Sequence, residues 1–88
     1  MNRKKLELSK LDEDLISYLV SALNSYNCDQ DATDIYFEIL EFINKQYDID
    51  VDRFSMIENS DRIIEVEFYS SDHDDVYILD LNGGNWKW

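Results

Sequence analysis

The chain has no lysine or arginine between residues 11 and 44, although this segment contains eight aspartate and glutamate residues. Residues 11–86 contain 19 acidic against three basic residues, a net charge of −16. The first ten residues contribute +3 and Lys87 contributes +1, which gives the total of −12 for 88 residues. Such a surface repels nucleic acid and anionic membranes and attracts basic surfaces. The charge therefore constrains the partner without identifying it.

Proline is absent, glycine occurs only at positions 83 and 84, and Cys28 is the only cysteine. The lack of proline and glycine predicts regular elements joined by Asn, Asp and Ser turns. A single cysteine excludes an internal disulfide and favours an intracellular setting. No apolar run resembles a secretory signal or reaches the length of a membrane span. We therefore expect a cytoplasmic protein without membrane contact.

Acidity of this degree is typical of disordered chains, but the hydrophobic content argues for a fold. Hydrophobic residues make up 44% of the chain and aromatic residues 14%. Tyr, Phe and Trp bury large areas, which a small core needs. A chain of 88 residues is long enough for one modest core, so we expect a single domain covering residues 1–88.

Two amphipathic helices are predicted between residues 9 and 47. In the first, Leu15, Leu19 and Leu23 recur every four residues, and Ser9 or Asp12 can cap the start. In the second, Asp29 or Asp31 is the expected cap. The apolar face of the second helix consists of Ile35, Tyr36, Ile39, Leu40, Ile43 and Tyr47.

After residue 47, apolar and polar side chains alternate with a period of two residues, which predicts strands in the region 48–88. Residues 64–69 and 76–81 alternate most clearly, and Gly83-Gly84 suits a tight hairpin before a short strand with Trp86 and Trp88. The expected fold is α+β, with two N-terminal helices packed on a three- to four-stranded antiparallel β-meander. Residues 1–8 are expected to form a flexible basic arm. The side chains of Trp86 and Trp88 can either pack in the core or contact a partner.

The sequence gives little evidence for a catalytic or metal-binding site. A nucleophilic pair of Cys28 and His73 would need proximity in the fold, and the acidic neighbours of Cys28 disfavour the thiolate. Asp48-x-Asp50-x-Asp52 resembles the opening of an EF-hand loop, but position 53 is an arginine where glycine is required. We therefore expect no enzyme activity, no cofactor and no specific metal site.

The acidic surface is the strongest functional signal. Helical positions three or four apart have Cβ atoms about 5–6 Å apart, so an acidic row along the second helix can approximate the phosphates of a nucleic-acid backbone. The expected partner-binding residues, on this helix first, are Asp31, Asp34, Glu38, Glu41, Asp48, Asp12, Glu13, Asp14, Glu65 and Glu67. In charge and size the chain resembles phage-encoded DNA-mimic inhibitors and small anti-CRISPR proteins, a resemblance that implies no site residues.

Several functions agree with this pattern. The favoured one is a non-catalytic inhibitor that occupies the basic DNA- or RNA-binding groove of a target protein and does not bind nucleic acid itself. An immunity protein or antitoxin against a basic nuclease toxin needs the same electrostatics. An acidic adaptor module is the third alternative, and either a monomer or a homodimer is compatible with each of them.

Overall fold

The fold is given by a computed structural model that describes residues 2–59, 62–72 and 74–81. Two helices follow a first strand and a short 3₁₀ turn, and three further strands complete the order of elements. The bounds are β1 (Asn2–Leu6), the 3₁₀ turn (Leu8–Lys10), α1 (Glu13–Cys28), α2 (Thr33–Tyr47), β2 (Arg53–Asn59), β3 (Arg62–Tyr69) and β4 (Asp75–Asp80).

The strands form one mixed sheet in the order β1-β4-β3-β2. The pairs β2–β3 and β3–β4 are antiparallel, as a meander requires. β1 is parallel to β4, so the expectation of a purely antiparallel meander was wrong. The α+β class with two helices before the meander is confirmed.

Within the expected flexible basic arm (residues 1–8), residues 2–6 instead form edge strand β1. Leu6 is 6% exposed and belongs to the core. Arg3 forms an ion pair with Glu67 at 3.4 Å, and Lys4 forms one with Asp75 at 3.2 Å. The run of cations hid this strand, because an edge strand needs few apolar side chains and often carries lysine.

α1 and α2 form an antiparallel hairpin joined by residues 29–32. Two ring contacts define the pairing: the Tyr18 and Phe42 centroids lie 5.2 Å apart, and those of Tyr26 and Tyr36 lie 5.3 Å apart. The residue later in α1 contacts the residue earlier in α2, so the two helices run in opposite directions. The predicted apolar faces point into a core shared with the sheet. Its fully buried side chains include Leu19, Leu23, Ile39, Ile43, Val66, Phe68 and Leu79.

The two helices begin differently. Asp12 caps α1 as expected, with its Oδ1 accepting a hydrogen bond from the Leu15 N–H at 2.9 Å. α2 begins at Thr33 and its N-cap residue is Ala32, which has no capping side chain, so the expectation that Asp29 or Asp31 caps it was wrong. The Asp29 carboxylate instead accepts a bond from the Asp31 N–H at 3.2 Å, which closes the interhelical turn.

A register shift alters the alternation predicted for β3. Ile57 pairs with Glu65 and Glu58 with Ile63, which leaves Ile64 as an extra residue in the manner of a β-bulge. Ile63, rather than Ile64, is therefore the fully buried side chain at this point, at 1% exposure. The predicted Gly83-Gly84 hairpin and the strand containing Trp86 and Trp88 lie outside the described residues.

Candidate functional site

An acidic stripe runs along the solvent side of α2. We define the α2 ridge as Asp34, Glu38, Glu41 and Asp48, all of which are exposed. Ile39 and Ile43, on the opposite side of the helix, are fully buried, so the core fixes the direction of the ridge. With a rise of about 1.5 Å per residue, the ridge extends over about 21 Å. Asp31 is also exposed and lies in the turn just before α2.

The α2 ridge takes part in none of the ion pairs between described side chains. Those three pairs join Arg3 to Glu67, Lys4 to Asp75 and Arg53 to Asp52, all on the sheet or next to it. Lys45 lies on the same stripe as the ridge, four residues after Glu41, but no ion pair joins these two described side chains. The ion pairs between described side chains thus lie at the sheet, and none of them involves a residue of α1 or α2.

The remaining acidic residues of the predicted site fall into two groups. Asp12, Glu13 and Asp14 are exposed at the start of α1, which the antiparallel hairpin places at the same end as Asp48. This group extends the acidic surface of the ridge. The carboxylate of Asp12 is already used as the cap of α1.

Glu65 and Glu67 lie elsewhere. They alternate along β3 with Val66 and Phe68, which face the helices, so the two glutamates lie on the other face of the sheet. The Glu67 side chain is 17% exposed and is paired with Arg3. The structure therefore separates these two glutamates from the α2 ridge.

Asp48 occupies an unfavourable position for its residue type. Asp48 is the C-cap of α2, and its backbone is in the left-handed conformation, with φ 54° and ψ 51°. Among the described residues it is the one non-glycine residue with a positive φ. It also places a negative charge at the negative end of the helix dipole. A residue that conflicts with two local preferences is expected at functional or strained sites.

An open groove lies beside the ridge, between α1 and α2, and its volume is about 480 Å³. Its apolar part includes Tyr18, which is 43% exposed, and Phe42, against which Tyr18 packs. We call it the interhelical groove, and its lining consists of Leu15, Tyr18, Glu38, Glu41, Phe42, Lys45 and Gln46. No pattern in the sequence predicted this groove. Tyr18 and Phe42 lie at the margins of two apolar faces, and only the pairing of the helices brings these margins together.

Tyr18 and the ridge residue Glu38 both line the interhelical groove. Partial burial raises the pKa of Tyr18, and the charge and hydrogen bond of Glu38 and the charge of Glu41 raise it further. The phenol is therefore a neutral donor at physiological pH. The Glu38 carboxylate thus lies at the rim of the groove, near the exposed Tyr18 ring.

A second depression, of about 280 Å³, lies between the end of α1 and the edge strand β2. The Tyr36 hydroxyl accepts a hydrogen bond from the Phe54 N–H at 3.2 Å, and the two rings stack with centroids 4.5 Å apart. The tyrosine thus covers the beginning of an otherwise open strand edge. This depression is predominantly polar and contains no ridge residue; its lining is Tyr26, Asn27, Gln30, Phe54, Ser55, Met56 and Glu58.

Within residues 2–59, 62–72 and 74–81, no group of three or more His, Cys, Asp or Glu side chains is arranged to hold a metal ion. In the stretch that imitates an EF-hand loop, the Asp52 carboxylate accepts hydrogen bonds from the hydroxyl and the N–H of Ser71. Cys28 is a free, exposed thiol at the end of α1. His73, its hypothetical catalytic partner, lies outside the described residues.

None of the helices in the described part of the chain is both long and apolar enough to cross a membrane. No protein-family model, curated protein or solved structure matches the chain. Among the described residues, the α2 ridge and the interhelical groove are the surface features that bear most directly on function.

Proposed function

We propose that this protein is a small non-catalytic inhibitor that occupies the basic nucleic-acid-binding groove of a target protein, as anti-CRISPR and anti-restriction proteins of phages do. The α2 ridge is the observation that carries the proposal. Its four exposed carboxylates lie on α2 or at its C-terminal cap, and they belong to none of the ion pairs between described side chains. A Lys- and Arg-rich groove is the surface that such an array attracts.

The charge density of the ridge is lower than that of a nucleic-acid strand. One strand of duplex DNA carries a charge every ~3.4 Å of axis, or about six over the ~21 Å length of the ridge. The ridge supplies four charges over this length, and Lys45 interrupts it. The acidic start of α1 lies at the same end as Asp48 and adds further charge. The mimicry we propose is therefore that of one short stretch of phosphates, distributed over the helical hairpin.

Salt dependence is the physical signature of this mode of binding. Cations condensed near the acidic surface, and anions near the basic groove, are released when the two meet. Screening also shortens the reach of exposed charges, because the Debye length falls from about 10 Å at 0.1 M salt to about 3 Å at 1 M. Affinity for the target should therefore decrease steeply with salt.

The interhelical groove favours a second candidate, an immunity protein or antitoxin that neutralises one basic nuclease toxin. A surface that only imitates phosphates does not need an exposed aromatic ring, whereas partner-specific interfaces are enriched in aromatic anchors. Tyr18 supplies such a ring next to Glu38. An immunity protein should bind one cognate toxin and fail to bind other basic proteins.

Capture from a host lysate followed by competition tests the proposal. The immobilised protein is loaded at low salt, eluted with a salt gradient, and the eluted proteins are identified by mass spectrometry. Each nucleic-acid-binding protein obtained is then assayed for DNA or RNA binding in the presence of increasing amounts of the acidic protein. We expect direct competition; simultaneous binding of nucleic acid and the acidic protein would contradict occupation of the groove.

A matched pair of triple variants locates the interface. Asp34→Lys, Glu38→Lys and Glu41→Lys together reverse most of the ridge. Glu58→Lys, Asp72→Lys and Asp74→Lys change the net charge by the same amount at exposed positions away from α2. We expect the first variant to lose inhibition and the second to retain most of it. Equal losses would show that net charge, rather than the ridge, controls binding.

A further inference from the structure

We infer that the interhelical groove receives an arginine side chain of the target protein, with its methylene stem on the apolar floor and its guanidinium beside Tyr18, Glu38 and Glu41. This inference rests on the proposed function, because it names the group that the basic partner inserts into the same acidic face. It also adds a specific contact to an otherwise distributed attraction of charges.

The floor of the groove is suited to an aliphatic stem and a planar cation. Tyr18 is 43% exposed and is held against Phe42, with centroids 5.2 Å apart and ring planes at 42°. The exposed part of the Tyr18 ring is thus presented in a fixed orientation. Leu15 extends the apolar surface along α1. Long cationic side chains bury their stems on such surfaces and keep their charged ends near water.

The rim of the groove supplies two acceptors on one side. Glu38 and Glu41 both line the groove, and neither forms an ion pair with a described side chain. Glu38 shares the lining of the groove with the exposed Tyr18 ring, so a group bound there can contact both. Lys45, also in the lining, is the one positive charge there. It should oppose an incoming cation and limit its affinity.

Arginine fits this arrangement better than lysine for three physical reasons. Its guanidinium stacks on aromatic rings, is more weakly hydrated than an ammonium group, and presents several N–H donors in a planar fork. The groove combines a ring with two carboxylates, which uses all three properties. A lysine ammonium would satisfy the charge but gain less from the ring.

The test uses the full chain and three blocked five-residue peptides, with a central arginine, lysine or citrulline between glycines. NMR titration of the labelled protein measures both location and affinity. We expect the arginine peptide to shift the resonances of Tyr18, Phe42 and residues 38–46 with a Kd on the order of millimolar, and to show contacts between its methylenes and the Tyr18 ring. The lysine peptide should bind more weakly and the neutral citrulline peptide should not bind.

Variants distinguish the contribution of the Tyr18 ring to peptide binding from that of the two carboxylates. Tyr18→Leu should weaken binding of the arginine peptide about two- to fivefold, whereas Tyr18→Phe should retain the stacking contribution. Glu38→Gln with Glu41→Gln should weaken it about tenfold. Glu58→Gln with Asp72→Asn removes the same charge elsewhere and should change it less than twofold. Lys45→Gln should strengthen binding.

Three results of the peptide titration would overturn the inference: shifts spread evenly over all acidic residues, equal affinity for the arginine and lysine peptides, or no methylene–ring contact in the unmodified protein. The last measurement does not depend on any variant folding. If Tyr18→Leu leaves inhibition of a target intact, the groove inference fails and the proposed function stands. If the peptide occupies the groove but no nucleic-acid-binding protein is inhibited, the proposed function fails instead.

Discussion

The side chain of Asn44 holds both backbone polar groups of Val51. Its Nδ2 donates to the Val51 carbonyl at 2.9 Å, and its Oδ1 accepts from the Val51 N–H at 2.7 Å. Asn44 lies in the last turn of α2, and Val51 is 3% exposed just before β2. This pair of bonds fixes the helix that carries the ridge to the sheet. The acidic surface is therefore presented on a rigid support.

Replacement of Asn44 by Ala should destabilise the fold by about 2–4 kcal/mol, because it leaves two backbone groups of a buried residue without partners. Asn44→Asp keeps the acceptor for the Val51 N–H but places a carboxylate oxygen against the Val51 carbonyl oxygen near the negative end of α2, so it should cost at least as much. Urea denaturation at fixed salt measures both, through a lower midpoint at unchanged slope. A midpoint for Asn44→Ala equal to that of the wild type would show that the bonds contribute little.

Replacement of Asp48 should stabilise the protein while weakening binding to the target. Asp48→Asn removes a negative charge from the C-terminal end of α2 and should raise the free energy of unfolding by about 0.3–1 kcal/mol. Asp48→Gly should raise the free energy of unfolding more than Asp48→Asn does, because glycine adopts positive φ without steric cost. Thermal unfolding and target affinity are measured on the same samples. Loss of stability in Asp48→Asn, or unchanged binding in both variants, would argue against a functional role for this carboxylate.

Stability at acid pH should depend on Asp52. The hydrogen bond from the Ser71 hydroxyl is the main cause that lowers the pKa of Asp52, followed by the bond from the Ser71 N–H, and the charge of Arg53 adds to them. Because the folded pKa lies below the ordinary value of 3.8, the carboxylate stabilises the fold above that pH, and this contribution is lost as the pH falls through the lowered pKa.

Asp52→Asn and Ser71→Ala should therefore each destabilise the protein near pH 6 and differ less from the wild type as the pH falls below 3.8. Chemical denaturation at several pH values between 2.5 and 6 provides the comparison. A stability difference that stays constant over this range would contradict the assigned role.

Leu6→Ala should destabilise the protein by about 2–3 kcal/mol, because Leu6 anchors β1 in the core. Lys5→Ala, at an exposed neighbouring position in the same strand, should change the stability by less than about 0.5 kcal/mol. The two variants are compared by urea denaturation. An equal and negligible effect of both would mean that residues 2–6 behave as an arm in solution.

The sequence predicted the helices well because their apolar periodicity is strong and local. Leu19, Leu23, Ile39 and Ile43 were all expected on the buried faces, and all four are fully buried. The cap of α1 at Asp12 was also predictable, since a carboxylate at that position satisfies a free N–H. These features depend only on residues close together in the chain.

Features that depend on distant residues were not predictable in the same way. β1 pairs with β4, more than 70 residues further along, and its Arg3, Lys4 and Lys5 have no strand-like alternation. The bulge at Ile64 depends on the register with β2. The interhelical groove exists because the hairpin places Tyr18 opposite Phe42, and no local pattern indicates that pairing.

The most direct test of the electrostatic account is the affinity of the purified protein for an inhibited target as a function of NaCl concentration, for the wild type and the triple variant Asp34→Lys, Glu38→Lys, Glu41→Lys. The account predicts that the logarithm of the wild-type association constant falls linearly with the logarithm of salt. For the triple variant it predicts much weaker binding and a shallower slope. A wild-type affinity that is independent of salt, or a triple variant with the same affinity and slope, would contradict it.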